Sequence, residues 1–208
     1  MNHRLFHLFR RLASDEGGVT VVEFAILSLP MMILLIGSLD LAYTSYIHSL
    51  MQGALNKAAR QATVESPNFS SSGNDIPEKV ENSIRSIVGK VAVDATINVK
   101  QRSFFDFSRI GDPERLMTDV NGNGRFDEGS GDCWEDGNFN GKFDTDGGNT
   151  GRGRASDVVF YEAEISMPRL FPIHAFVPVS PDISMSIETA VRNQPYKQQQ
   201  TPPILCSN

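Results

Sequence analysis

Residues 18–39, Gly-Val-Thr-Val-Val-Glu-Phe-Ala-Ile-Leu-Ser-Leu-Pro-Met-Met-Ile-Leu-Leu-Ile-Gly-Ser-Leu, place the tightest constraint on this chain. From Val19 to Leu39 the run is apolar, and its length of about twenty residues at about 1.5 Å rise each matches the hydrocarbon core of a bilayer. Phe24 and Leu39 lie within the span. Pro30 removes a helix hydrogen bond midway and predicts a kink. Glu23 is the one carboxylate in the run. Such a group costs about 2.5–3.5 kcal/mol at a bilayer centre and less near the interface, where Glu23 falls. A cation nearby would offset that cost. If the chain were cut after Gly18, the new α-amine of Val19 would stand four residues from Glu23 or beside it on a neighbouring subunit.

The segment before the span carries Arg4, Arg10 and Arg11. Basic residues flanking a span stay in the cytoplasm, which predicts a cytoplasmic N-terminus and an extracytoplasmic chain beyond about residue 42. A secretory signal or an uncut anchor would share these features. The apolar run is longer than a typical signal core, and no A-x-A site follows it.

At 208 residues the chain has room for one ordinary domain besides the anchor. A formal charge of −6 argues against nucleic acid as a partner, since phosphate binders carry a basic face. The acid is concentrated: Asp106 to Asp146 holds eleven Asp and Glu against four Lys and Arg. No Gly-rich phosphate loop, GxSxG or HExxH occurs, and His3, His7, His48 and His174 are scattered. Catalysis is therefore not expected.

Beyond the span, Ile47, Met51, Leu55, Ala58 and Ala62 recur every three or four residues, with Gly53, Ala54 and Ala59 beside them. This predicts one long helix over residues 19–64, half in lipid and half outside. Ser66–Asn74 has linker composition, and Ile76–Val88 reads as a short helix with Pro77 in its first turn. Three alternating runs then predict strands: Val91 to Val99, Val159 to Met167, and Ile183 to Val191, with the Pro-rich stretch Pro168–Pro181 as a connection between strands. Their apolar face needs a cover, and the outer half of the long helix can supply it. The expected class is α+β, a long N-terminal membrane-spanning helix packed by its outer half on a small antiparallel sheet. The expected divisions are a leader over 1–18, the helix over 19–64, an extracytoplasmic domain over 65–194 with an acidic loop at 106–150, and a disordered tail over 195–208.

The acidic segment contains an internal repeat. Asp119-Val-Asn-Gly-Asn-Gly-Arg-Phe-Asp127 returns, seventeen residues on, as Asp136-Gly-Asn-Phe-Asn-Gly-Lys-Phe-Asp144. Each copy has oxygen-bearing side chains at positions 1, 3, 5 and 9 (Asp119, Asn121, Asn123, Asp127; Asp136, Asn138, Asn140, Asp144). Glycine stands at position 6, and Arg125 or Lys142 could offer a carbonyl at position 7. Calcium needs six to eight oxygens on a tightly turned loop, and this spacing resembles the first nine positions of an EF-hand loop and the loops of dockerin and thrombospondin type 3 repeats. The bidentate Glu expected at position 12 is replaced by Ser130 and Gly147, and Glu128, Asp132, Glu135 or Asp146 could substitute from nearby. Asn and Gly also suit turns at positive φ, so an Asn-Gly-rich solvated loop remains the plain alternative. The two cysteines, Cys133 and Cys206, could bridge in an oxidising compartment; sequence leaves that open.

The stretch Arg10-Arg-Leu-Ala-Ser-Asp-Glu-Gly-Gly-Val-Thr-Val-Val-Glu-Phe-Ala25 resembles the N-terminus of class III prepilins, above all the TadE-like pseudopilins of tight-adherence (Flp pilus) systems. Ala58-Ala59-Arg60-Gln61-Ala62, the Cys133–Gly141 stretch and Val191-Arg192-Asn193-Gln194-Pro195 are similar to further family segments. The resemblance implies a prepilin peptidase cutting between Gly18 and Val19, which puts Glu23 at position +5 of the mature chain. Gly17 offers a second glycine, so the bond is less sharply defined. It also implies a single-pass protein of the bacterial inner membrane with a periplasmic domain. Its partners would be other pilins, pilus-assembly membrane proteins and the lipid bilayer. The rival reading is a permanently anchored calcium-binding envelope protein that binds an extracellular partner.

Overall fold

The computed structural model describes residues 18–207; the basic leader expected over 1–18 lies outside them except for Gly18. The described chain forms two compact units. One comprises the residues up to Tyr43 and the segment Arg169–Pro181; the other comprises Thr44–Pro168 and Asp182–Asn208.

Helix α1 (Val19–Ala62) contributes to both units and runs through Pro30 as one element. In the first unit most of its apolar side chains are exposed: Val21, Phe24, Ile26, Leu27, Leu29 and Leu34 all face outward. The helix is long and apolar enough to cross a membrane, and none of its most apolar window is buried. This is an inverted surface for water and an ordinary one for lipid. Asp40, one residue past the apolar run, is buried and ion-paired with Arg169.

In the second unit the later part of α1 carries the predicted stripe. Ile47, Met51, Ala54, Leu55, Ala58, Ala59 and Ala62 are buried. Burying a side chain the size of Leu or Met contributes about 1.5–3 kcal/mol, so Ile47, Met51 and Leu55 carry most of what this face contributes, and the alanines between them allow close approach. Gln52 donates to the Glu188 carbonyl, and the Gln194 N–H donates to the Thr63 carbonyl at the helix end.

Helix α2 (Ile76–Val88) begins where expected. Asp75 caps it by accepting from the Glu78 N–H, while Glu78 reaches back to accept from the Asn74 N–H. The pair satisfies two donors at the helix entrance. Val80, Ile84 and Val88 form its buried face.

Strand β1 (Thr96–Phe104) starts five residues later than the alternation from Val91 suggests. Turn bonds from the Val91 and Ala92 N–H groups to the Val88 carbonyl hold residues 91–95 out of the sheet, and Val93 is exposed. The inward alternation instead continues beyond Val99 through Gln101 and Ser103, polar residues that sequence pattern alone does not flag as core. The acidic segment is not one loop. It holds β2 (Arg115–Thr118), β3 (Cys133–Glu135) and β4 (Asn149–Thr150). Strands β5 (Val158–Pro168) and β6 (Asp182–Arg192) follow, close to the predicted runs.

These strands make two antiparallel sheets, β4-β1-β5-β6 and β2-β3-β7, the last strand being Ile204–Cys206. The tail is thus not a free segment. Its Lys-Gln-Gln-Gln-Thr-Pro-Pro composition conceals Gln199, which donates to the Phe105 carbonyl and to Asp157. It also conceals β7, which pairs with β3 and is joined to it by the Cys133–Cys206 disulfide.

Candidate functional site

Two candidate sites emerge, one at the start of α1 and one in the acidic repeat. Gly18 precedes the helix, exposed, with open space where a Cβ would stand. Val19 is the first residue of the helix, and Glu23 lies one turn further on with its side chain exposed. Phe24 and Pro30 are equally exposed, and Leu39 closes the apolar stretch.

The repeat folds into two loops of nearly the same construction. In the first, Asp119 accepts from the Gly122 and Gly124 N–H groups through its two oxygens, at 2.7 Å each. Asn121 accepts from the Asn123 N–H, and Asn123 from the Arg125 N–H. The amides of Asn121 and Asn123 both donate to one oxygen of Asp127, at 2.7 Å. In the second loop Asp136 accepts from the Asn140 and Gly141 N–H groups, Asn138 from the Asn140 N–H and Asn140 from the Lys142 N–H. The amides of Asn138 and Asn140 likewise converge on one oxygen of Asp144. Position 6 is left-handed in both copies, at φ +76° for Gly124 and +78° for Gly141, a conformation that glycine adopts without penalty.

Each loop is closed by one carboxylate from outside the nine residues. Asp132, fully buried, accepts from the Val120 and Asp127 N–H groups. Glu114, also buried, accepts from the Gly137 and Asp144 N–H groups. The two clamps therefore grip the same positions, 2 and 9, of their respective copies. Of the acidic residues able to complete the repeat by sequence proximity, Glu135 and Asp146 are committed elsewhere, to Arg109 and Arg102. Glu114 precedes both copies, and no spacing rule points to it.

The clamps differ in charge behaviour. Donation by the Val120 N–H holds the Asp132 carboxyl below its usual range; burial opposes this, and the Asp127 N–H reinforces it. For Glu114 burial dominates and pushes the carboxyl up, against the lowering effect of the Asp144 and Gly137 N–H groups, while the Asp136 carboxylate adds to the rise.

The position-8 aromatics join the copies. Phe126 stacks on Phe143 with centroids 4.4 Å apart, and Trp134 of β3 meets Phe126 edge-on at 4.9 Å. The equal spacing of the two phenylalanines in sequence is thus the trace of a shared small core.

The donor set suits a hard cation. Among the described residues no three His, Cys, Asp or Glu side chains gather to hold a metal by themselves. Each loop instead offers two aspartates and two asparagines, whose amide oxygens each keep a second lone pair after accepting one N–H. An all-oxygen set of this kind fits calcium and not zinc or copper.

The family model of the TadE-like protein matches residues 18–60, which coincide with α1 almost from end to end. This N-terminal segment is TadE-like, as its motif suggested. No curated protein and no solved structure matches the chain.

Proposed function

We propose that this chain is a minor pilin of a tight-adherence type pilus system, anchored in the bacterial inner membrane by α1 and cut by a prepilin peptidase between Gly18 and Val19. The observation that carries this reading is the coincidence of the TadE-like match with a 44-residue helix whose first part is apolar and unburied. Such a helix must end in lipid or among other apolar helices, because leaving it in water forfeits the burial of every side chain along it. The N-terminus would be cytoplasmic and the domain bearing the two sheets periplasmic. After cleavage, the α-amine of Val19 would neutralise Glu23 of its own or a neighbouring chain, setting the register of helices that bundle together. Its partners would be other pilins and pilus-assembly membrane proteins.

Two calcium ions would have a structural part. Asp119, Asn121, Asn123 and Asp127 with the Arg125 carbonyl would hold one, and Asp136, Asn138, Asn140 and Asp144 with the Lys142 carbonyl the other. Bound there, calcium supplies positive charge to a segment that carries a local excess of acid.

The mature N-terminus, sequenced from native membranes, tests the central reading. A chain beginning at Val19, with assembly lost in Glu23→Ala despite normal cleavage, is expected. A chain retaining its leader in cells with an active prepilin peptidase would leave the permanently anchored envelope protein as the better account. Limited proteolysis tests the calcium part separately: chelation should expose cleavage within residues 119–144, and an unchanged digest would remove calcium from the proposal.

A further inference from the structure

The segment Arg169–Pro181, which connects β5 to β6, belongs to the same compact unit as the apolar part of α1. Between its end residues it reads Leu-Phe-Pro-Ile-His-Ala-Phe-Val-Pro-Val-Ser, with no Asp, Glu, Lys or Arg. Its neck is closed and charged. The Arg169 N–H donates to the Pro181 carbonyl at 3.0 Å, its guanidinium donates to the Ser180 carbonyl at 2.7 Å, and the same guanidinium pairs with buried Asp40 of α1.

Beyond that neck the loop is apolar and leans on the helix. The Ile173 side chain would stand 3.3 Å from a Cβ placed on Gly37, so Gly37 marks a close approach. Gly37 lies two residues inside Leu39, about 3 Å within the apolar run. Ile33, Ile36 and Gly37 are half-buried along this face, while nearly all other residues of the run are exposed. Yet Leu170, Phe176 and Val179 of the loop point outward, 58%, 62% and 38% exposed.

Most of the loop's own N–H groups are bonded within it. From Phe171 to Val179 two residues are prolines without an N–H, and Ile173, Ala175, Phe176, Val177 and Val179 all donate to carbonyls within the loop. Lipid-exposed irregular backbone does not occur within the hydrocarbon core, so such a loop is confined to the boundary between headgroups and acyl chains, where apolar side chains can reach inward.

We infer that Arg169–Pro181 is a second membrane contact, a loop that dips Leu170, Phe176 and Val179 into the outer leaflet beside α1. Its partner is the lipid bilayer. The Arg169–Asp40 pair sits at the headgroup boundary, where a long basic side chain keeps its charge in the polar layer while its stem lies along apolar surface. The inference rests on reading Val19–Leu39 as a membrane span, and its test separates the two.

The full chain has one tryptophan, Trp134, whose emission provides a background. Phe176→Trp, Leu170→Trp and, in the span, Phe24→Trp are each reconstituted in phosphatidylcholine vesicles with and without acyl-brominated lipid. Retention of the Trp134 signal reports that the unit bearing β3 stays folded. The expected result is blue-shifted emission at positions 176 and 170, quenched by bromine near the headgroup end of the chain, with Phe24→Trp quenched as well. Quenching at 24 with red, unquenched emission at 176 and 170 would overturn the loop proposal alone. Blue-shifted but unquenched emission at 176 and 170 would overturn it too, by showing protein in place of lipid. No quenching at 24 would overturn the span and the loop with it.

Discussion

The two loops of the acidic repeat share a sequence pattern and a hydrogen-bond pattern, but they are held by opposite parts of the chain. Loop 119–127 closes forward, on Asp132 and then on the C-terminal tail, where Ser207 donates to the Asp127 carbonyl and its N–H to the Asp132 carbonyl. Loop 136–144 closes backward, on Glu114, with Asn149 donating to the Asn138 carbonyl. Their first aspartates differ accordingly: Asp136 is 2% exposed and Asp119 is not buried. A repeated motif thus specifies the local turn, while its surroundings decide how strongly the turn is fixed.

The largest expected effect comes from cutting the tether used by the first loop. Cys133→Ser with Cys206→Ser opens a bridge between residues 73 apart, and loop-closure entropy puts the cost at about 4 kcal/mol. Denaturant unfolding of the detergent-solubilised full chain measures it. Hydrogen exchange should then show loop 119–127 losing more protection than loop 136–144, since Ser207 next to the bridge bonds the Asp127 and Asp132 carbonyls, whereas the second loop meets the tail only through the Asp136 N–H on the Pro203 carbonyl. Equal loss in both would mean that the stack of Phe126 on Phe143 makes the loops a single unit.

If calcium binds as proposed, it gives the next largest effect. At a free concentration near one hundred times its Kd, each site should add about 2.7 kcal/mol. Asp119→Ala and Asp136→Ala, followed by calorimetric titration, should each remove one site of two. The Asp136 variant should also lose stability without calcium, because it removes the acceptor of the Gly141 N–H and one of the two acceptors of the Asn140 N–H, in part-buried bonds.

What was legible in sequence follows the same division. Period and composition expose regular elements, so α1, α2, β5 and β6 were placed nearly to the residue. The repeat was legible as a pattern of oxygens and glycines. Glu114 and β7 were not, because each is defined by a partner distant in the chain: β3 for the tail, and the Gly137 and Asp144 N–H groups for the clamp. The loop Arg169–Pro181 was legible as a proline-rich connection, but only Ile173 against Gly37 and Arg169 on Asp40 show where it goes.

A smaller effect isolates backbone strain. At position 4 both loops are left-handed, with φ +73° at Gly122 and +64° at Phe139. Phe139 carries this conformation under the Arg154 guanidinium, which lies 3.7 Å from its ring centroid. Gly122 has open space for a Cβ, so Gly122→Ala adds strain without a clash and should cost about 1–2 kcal/mol. Phe139→Gly removes that strain but also a cation–π contact of about 0.5–2 kcal/mol, so its net effect should be near zero. Thermal unfolding of the two variants compares them directly. A large loss in Phe139→Gly would show that the aromatic contact, and not the turn, fixes the second loop.

The smallest effect is the dependence on pH of the calcium-free protein, and it has opposite signs in the two clamps. Asp132 has a folded pKa below its ordinary 3.8, so its contribution is complete above that value and is lost as pH falls through the lowered one. Glu114 has a folded pKa above its ordinary 4.5, because burial disfavours its charge with Asp136 nearby. Its contribution is therefore complete below pH 4.5 and lost as pH rises through the raised value. Acidification from neutrality should first stabilise the second loop, then, below pH 3.8, weaken the first. Carboxyl carbon shifts in a chelator-treated sample would give both midpoints, with Glu114→Gln and Asp132→Asn assigning them. Glu114→Gln should abolish the upper transition and leave the lower one. If both carboxyls titrate together below pH 4, the N–H groups of Gly137 and Asp144 outweigh burial at Glu114, and the two clamps are electrostatically alike despite their opposite origins in the chain.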